Sequence, residues 1–252
     1  MTVIAKSDAS PGTRLWQDAL RGVQSQIQRT AAHPARTVVL VPYAQLMGEA
    51  QLQWARLVPN GFAPRFETTR NWAARLASFA PQGLDFAQDM ARDRFTAAAL
   101  LARAGLGAEC EMLLATLLEA AAQLAPVAAA VPPQARAGWL DRQRAAVGLA
   151  GEGSALRYEA AVARLALEWV AASRHATDAL FAPGVRAAVD AIVVLEGFQS
   201  DALAQALCAA WGDAALALPL WQGASGTGRI TLHPAHDAED EFAAGEVERR
   251  PL

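Results

Sequence analysis

At 252 residues, 53% of them hydrophobic and 19% charged, the chain carries enough apolar surface for a core, which excludes global disorder and suits one large domain or a core domain with an insertion. Twenty-two basic residues stand against 25 acidic ones, which argues against a bare charge-driven nucleic-acid binder and does not exclude local contacts with DNA. Almost all the basic residues are arginine, Lys6 being the only lysine, so any chemistry that needs a lysine further along the chain is excluded too.

Thr2 to Lys6 is a short β-like run, followed by turn formers from Ser7 to Gly12. Residues 13 to 30 then place Leu15, Trp16, Ala19, Leu20, Val23 and Ile27 at spacings of three and four, which predicts an amphipathic helix broken at His33-Pro34. Thr37 to Tyr43 (TVVLVPY) is a continuous, valine-rich apolar run and reads as a buried parallel strand. A helix over 44 to 57, a turn at Pro59 to Gly61, a short strand at Phe66 to Thr69 and a helix over 70 to 79 follow. From 84 to 175 the strand signal vanishes. Ala/Leu/Arg helices broken at Gly105 to Gly107, Pro132-Pro133 and Gly151 to Gly153 read as an inserted all-helical subdomain. The strand pattern returns at Ala191 to Phe198 (AIVVLEGF), then a helix over 200 to 211, an apolar run at Ala215 to Leu220 and a short one at Arg229 to Leu232. The acidic tail Asp237 to Glu248 reads as the start of a helix. No repeat of 20 to 50 residues is visible. The alternation of strands and helices predicts a mainly parallel sheet covered on both faces.

No apolar run reaches the roughly 18 residues that span a bilayer, since the long ones are interrupted by Gln, Glu, Arg or Pro. Met1 to Ser10 lacks a charged-then-apolar signal pattern. The expectation is therefore a cytoplasmic chain without membrane contact. In that setting Cys110 and Cys208, both inside apolar helical patterns, read as reduced core residues.

A P-loop needs a strand, a glycine turn whose amides cradle phosphate, and a Lys-Ser/Thr pair. At the right place the chain has Ala9-Ser10-Pro11-Gly12-Thr13-Arg14. The lysine is missing, Pro11 removes an amide donor, and Arg14 does not replace a point ammonium. Hydrolysis of ATP by the P-loop route is excluded. Gly223 to Gly228 also lacks lysine and reads as a flexible loop. Motors of this kind end a later strand in Asp-Glu, the Asp for magnesium and the Glu for polarising water. Here the strand ends Leu195-Glu196-Gly197-Phe198-Gln199, with leucine at the magnesium position.

These segments resemble superfamily I helicases. Val194 to Ser200 (VLEGFQS) is similar to an eroded Val-Asp-Glu-Phe-Gln-Asp segment; Thr37 to Leu57 is similar to their second strand and helix; Phe66 to Trp72 is similar to their Thr-Phe-His-Ser-Phe stretch. The helical block falls where those helicases insert their second subdomain, and Pro234 to Glu241 resembles the lead-in to the second motor domain. The likeness is specifically to AddB/RexB-type subunits of helicase-nuclease complexes with an inactivated helicase region. It implies an α/β, P-loop-NTPase-like parallel sheet built from 1–83 and 176–236, a helical insertion at 84–175, and a truncated second motor domain starting at 237–252. The family's second motor domain and C-terminal nuclease do not follow in this chain.

The implied role is non-catalytic: a scaffold without cofactor in double-strand break repair, bound to an AddA-like helicase-nuclease subunit and to single-stranded or forked DNA. The degenerate P-loop is then Pro11, Gly12, Thr13 and Arg14, and the degenerate magnesium strand Leu195, Glu196, Phe198 and Gln199. Thr68, Thr69, Arg70, Asn71 and Trp72 become DNA-contact candidates, Trp72 stacking a base and the hydroxyls with Arg70 holding phosphate. The plain alternative has Trp72 buried against the sheet. Tyr43 and Gln45 join them at a strand's carboxyl edge, or are ordinary loop residues. His233, His236, Asp237 and Glu239 lack metal-site spacing and read as solvated loop, and Ser200 and Ser225 lack a nucleophile-elbow pattern. Two other readings stay open: an α/β enzyme binding a small ligand at the sheet's carboxyl edge through Glu196 and the 223–228 loop, and a pure protein-interaction module.

Overall fold

A computed structural model describes residues 11–150 and 156–220. Four strands form one parallel sheet in the order β2-β1-β3-β4: β1 Thr37–Leu40, β2 Arg65–Glu67, β3 Ala191–Glu196 and β4 Ala215–Pro219. The two valine-rich runs are the central strands. Thr37 to Leu40 pairs in register with Ala191 to Val194. All four residues of β1 and the first five of β3 are buried, as expected of strands covered on both faces. The edge strands β2 and β4 are only partly buried. The Thr2–Lys6 and Arg229–Leu232 runs lie outside the described residues.

Alternation along the central strands separates two apolar layers. Val39, Val41, Val193 and Leu195 face α1 (Pro11–Arg29) and α2 (Leu46–Leu57), sharing a core with Trp16, Leu20 and Trp54. Val38, Leu40, Ile192 and Val194 face α3 (Thr69–Leu76), α8 (Pro183–Ala188) and α9 (Ala202–Trp211) on the other side, with Trp72 and Leu207. The chain thus leaves β1 through α2 on one face and leaves β3 through α9 on the other.

At the amino ends, Asp190 ties the central pair together. Its carboxylate accepts from the Arg36 Nε (2.7 Å) and from the His33 backbone N–H (3.0 Å), while Arg36 also donates to the Ala187 carbonyl. These bonds, the His33 amide first and Arg36 second, hold the Asp190 carboxyl below the usual carboxylate range.

The described residues of 84–175 are helical apart from their connections: α4 (Met90–Arg103), α5 (Cys110–Ala130), α6 (Arg136–Ala150) and α7 (Arg157–Ala172) enclose their own core of Phe86, Leu101, Leu117, Ala166 and Trp169. Both ends of α4 have a chemical reason. Asp89 caps α4 by accepting from the Arg92 N–H. Gly105 (φ 77°) ends it in the left-handed region that glycine tolerates best, with Leu106 N–H reaching back to the Leu101 carbonyl. The block is not a separate body, because the described residues form one compact unit in which Ala130 of α5 enters the sheet core. Cys110 and Cys208 are free and half-buried. One correction concerns α5. By length and composition it is apolar enough to cross a membrane, despite the interrupting Glu111, Glu119, Gln123 and Pro126. In this fold it packs against α4, α7 and α9.

Arg136 fastens the block to the sheet layer. Its side chain is 7% exposed and donates to the carbonyls of Ala128, Val131 and Ser173, where α5 and α7 end, and through Nη2 to Asp178 (2.5 Å). Asp178 lies in the 3-10 segment Ala176–Phe181, which packs against α3. Arg136→Ala takes the partner from the half-buried Asp178 carboxylate and from three carbonyls. It should lower unfolding free energy by about 3 kcal/mol in urea denaturation, whereas Arg144→Ala, on an exposed pair, should cost under about 1 kcal/mol.

Because the folded Asp190 carboxyl titrates below its unfolded value of about 4, its stabilisation is complete above that pH and is lost as pH falls through the folded value. Asp190→Asn should therefore be less stable at neutral pH and show a flatter loss of stability below about pH 4. A set of urea titrations across that range reads both effects.

Candidate functional site

Between β1 and β3 the sheet order reverses, and in open α/β sheets such switch points leave a crevice outside the carboxyl ends of the strands. Here it measures about 410 Å³ and is lined by Pro42, Thr69, Glu196, Gln199, Asp201 and Cys208, among others. Gly197 is needed at its floor. A Cβ there would lie 2.9 Å from the Pro42 Cβ, so the two strand ends approach as closely as they do only without a side chain at 197.

Asp201 is the structural hub of the crevice. Its Oδ1 accepts from the Leu203 and Ala204 amides (2.9 and 3.1 Å), capping α9, and its Oδ2 accepts from the Thr69 hydroxyl (3.2 Å). Glu196 is exposed, and its carboxylate makes no hydrogen bond or ion pair among the described residues; its backbone carbonyl accepts from Leu220 N–H. Burial pushes the Cys208 thiol above its ordinary range, and the charge of Glu196 adds to the shift.

A larger open groove, about 790 Å³, runs from this edge toward the helical block, with Tyr43, Thr69 and Arg70 on the sheet side and Arg174, His175 and Thr177 on the other. Arg174 is engaged by Asp85 (2.8 Å), which also accepts from the Gln82 and Arg174 amides. His175 Nε2 lies 2.9 Å from the Val170 carbonyl, and burial first, then the nearby Arg136, holds its imidazole below the usual histidine range and therefore neutral at pH 7.

The structure sorts the residues predicted from sequence. Thr69 and Gln199 line both depressions, and Tyr43 (40% exposed) and Arg70 line the groove. Arg70 is exposed and has no polar partner among the described residues. Thr68 is occupied as the cap of α3, accepting from Asn71 N–H; the exposed Asn71 reaches the Met47 sulfur (3.6 Å). Gln45 is exposed just before α2, and Phe198 is 74% exposed. Leu195 is buried in the core that holds Trp16 and Leu20 of α1.

Two expectations are corrected. Trp72 is 0% exposed within the sheet-side core, so no base can stack on it; α3 turns its ring inward, and the indole Nε1 has no hydrogen-bond partner among the described residues. Pro11 and Gly12, expected in the turn before the helix, instead open the first turn of α1 with Thr13 and Arg14, a position proline favours because its missing N–H has no helical partner there anyway. Arg14 is exposed. The 223–228 loop, Ser225, and His233, His236, Asp237 and Glu239 lie outside the described residues; among the described residues no group of three or more His, Cys, Asp and Glu could hold a metal ion.

Asp201, Pro42, Gly197, Arg174 and His175 were not singled out by the sequence. Of these, Asp201 had a readable signal, an Asp directly before an apolar helical pattern. No family model matches this chain, and neither does any curated protein or solved structure.

Burial of Trp72 separates stability from binding. Trp72→Ala should cost about 3–5 kcal/mol by cavity formation, while Trp72→Phe, which keeps an aromatic ring and deletes the unpartnered N–H, should be milder. Neither should alter nucleic-acid affinity in samples shown by circular dichroism to be folded.

Proposed function

We propose that the chain is a P-loop-NTPase-like, helicase-like scaffold that does not hydrolyse ATP. It holds single-stranded or forked DNA beside an AddA-like helicase-nuclease partner in double-strand break repair. The observation that carries this reading is the placement of the segments that resemble helicase motifs. The Thr37–Leu40 and Ala191–Glu196 strands are neighbours at the centre of one parallel sheet, and the start of α3 adjoins their carboxyl ends. Leu195, where a magnesium-binding carboxylate would stand, lies in an apolar core with α1. The groove that opens from this edge offers the guanidinium of Arg70, unpartnered among the described residues, to phosphate and the exposed ring of Tyr43 to a base.

Contact of this kind is local and electrostatic in part, so it weakens with salt. Fluorescence anisotropy with a labelled single strand should show affinity falling about three- to tenfold in Arg70→Ala and in Tyr43→Ala. The salt slope should drop by roughly 0.7 in Arg70→Ala alone, the share of one phosphate contact on a single strand. Unchanged affinity in both variants, or wild-type protein that binds no single or forked strand, overturns the assignment. So does ATP hydrolysis that persists in purified protein.

A further inference from the structure

The crevice between β1 and β3 has a charge character opposite to that of a nucleotide site, independently of the scaffold reading. In sheets of this topology the helix that follows a central strand points its free first-turn amides at the ligand, and an anion settles on them. Here α9 occupies that position, but the chain's own carboxylate has taken the place of the anion: Asp201 Oδ1 accepts from the amides of Leu203 and Ala204. Both Asp201 oxygens are engaged, the second by the Thr69 hydroxyl. Among the described residues, those that line the crevice include no Arg, Lys or His. A phosphate entering it would meet two carboxylates, Asp201 and Glu196, with no cation among the described lining residues to offset them.

Glu196 supplies the opposite capability. It is the last residue of β3, exposed, and its carboxylate makes no hydrogen bond or ion pair among the described residues. The same crevice is lined by apolar side chains of Leu40, Val194 and Ala217. A volume of about 410 Å³ is within the range of small-molecule sites, which pair an apolar lining with a few fixed polar groups. We propose that the crevice binds a small organic cation, its ammonium or guanidinium group paired with Glu196 and its aliphatic stem laid on the Leu40–Val194–Ala217 floor. Gln199 and the Thr69 hydroxyl sit at the same rim and can accept from the remaining N–H groups. Gly197 keeps the site open, because any side chain there would meet Pro42 and Tyr43.

Cys208 lines the same crevice and Cys110 lies outside it, so the protein carries its own reporter and its own control. The experiment titrates the full chain with agmatine and with alkylammonium ions of increasing length, against sodium chloride at matched ionic strength, ATP and inorganic phosphate. Alkylation of each thiol and the melting temperature are followed. Bound cation should slow alkylation of Cys208 and not of Cys110, and raise the melting temperature; ATP and phosphate should do neither. Glu196→Gln, a change at an exposed side chain, should weaken cation binding about tenfold while leaving the melting temperature of the free protein unchanged. Ala217→Phe, which fills the floor without touching the carboxylate, should abolish protection. Equal binding by Glu196→Gln, protection by phosphate or ATP, or no protection of Cys208 by any cation overturns the proposal. None of these results depends on whether DNA binds at Arg70 and Tyr43.

Discussion

The parallel pairing of Thr37–Leu40 with Ala191–Val194 is the constraint on which the rest of the structure rests. Two segments far apart in sequence must meet before either core can close, because each strand contributes side chains to both faces. Burial of their valines, isoleucine and leucines supplies about 1.5–3 kcal/mol per side chain, which offsets the entropy of joining such distant segments. Asp190 secures the amino ends through Arg36 and the His33 amide. At the carboxyl ends the chain departs in opposite directions, so the crevice is a product of the same pairing.

The helical block is held by a different kind of force. Arg136 lies in a site where removing a guanidinium from water is expensive, and several acceptors converge on it to offset that cost. An apolar side chain of similar size could fill the space but could not satisfy the carbonyls that end α5 and α7. The pair therefore specifies how the block meets the Ala176–Phe181 segment more than it adds net stability. One wall of the groove beside Arg70 inherits its position from that junction.

Central strands and amphipathic helices were legible in the sequence because each is a local pattern. TVVL and AIVVL are apolar without a break, and Leu15 to Ile27 repeat at helical spacing. Contacts that join distant segments left no such trace. Arg136 stands between Ala135 and Ala137 after a Pro-Pro break, and no local pattern marks it as buried; only the fold shows it so. Trp72 looked available next to Arg70 and Asn71, yet one step of about 100° around α3 separates the exposed face from the buried one. Pro11 and Gly12 suggested a loop by residue type, whereas proline in the first turn is compatible with a helix start. The crevice residues were partly visible: Glu196 and Gln199 stood out through their strand, but the use of Asp201 as a cap and its bond to Thr69 depend on α3 and α9 meeting at the sheet edge.

Helix α5 takes part in two interiors at once. Leu113, Leu117, Ala121, Ala125 and Ala128 serve the helical core, and Ala130 the core under the sheet. A rod shared in this way leaves neither half a melting point of its own, since losing the partner layer strips one end of the helix of its contacts. Thermal denaturation followed by far-ultraviolet and by tryptophan signals then traces a single sigmoid, and a calorimetric enthalpy equal to the van't Hoff value is the thermodynamic signature of that shared helix.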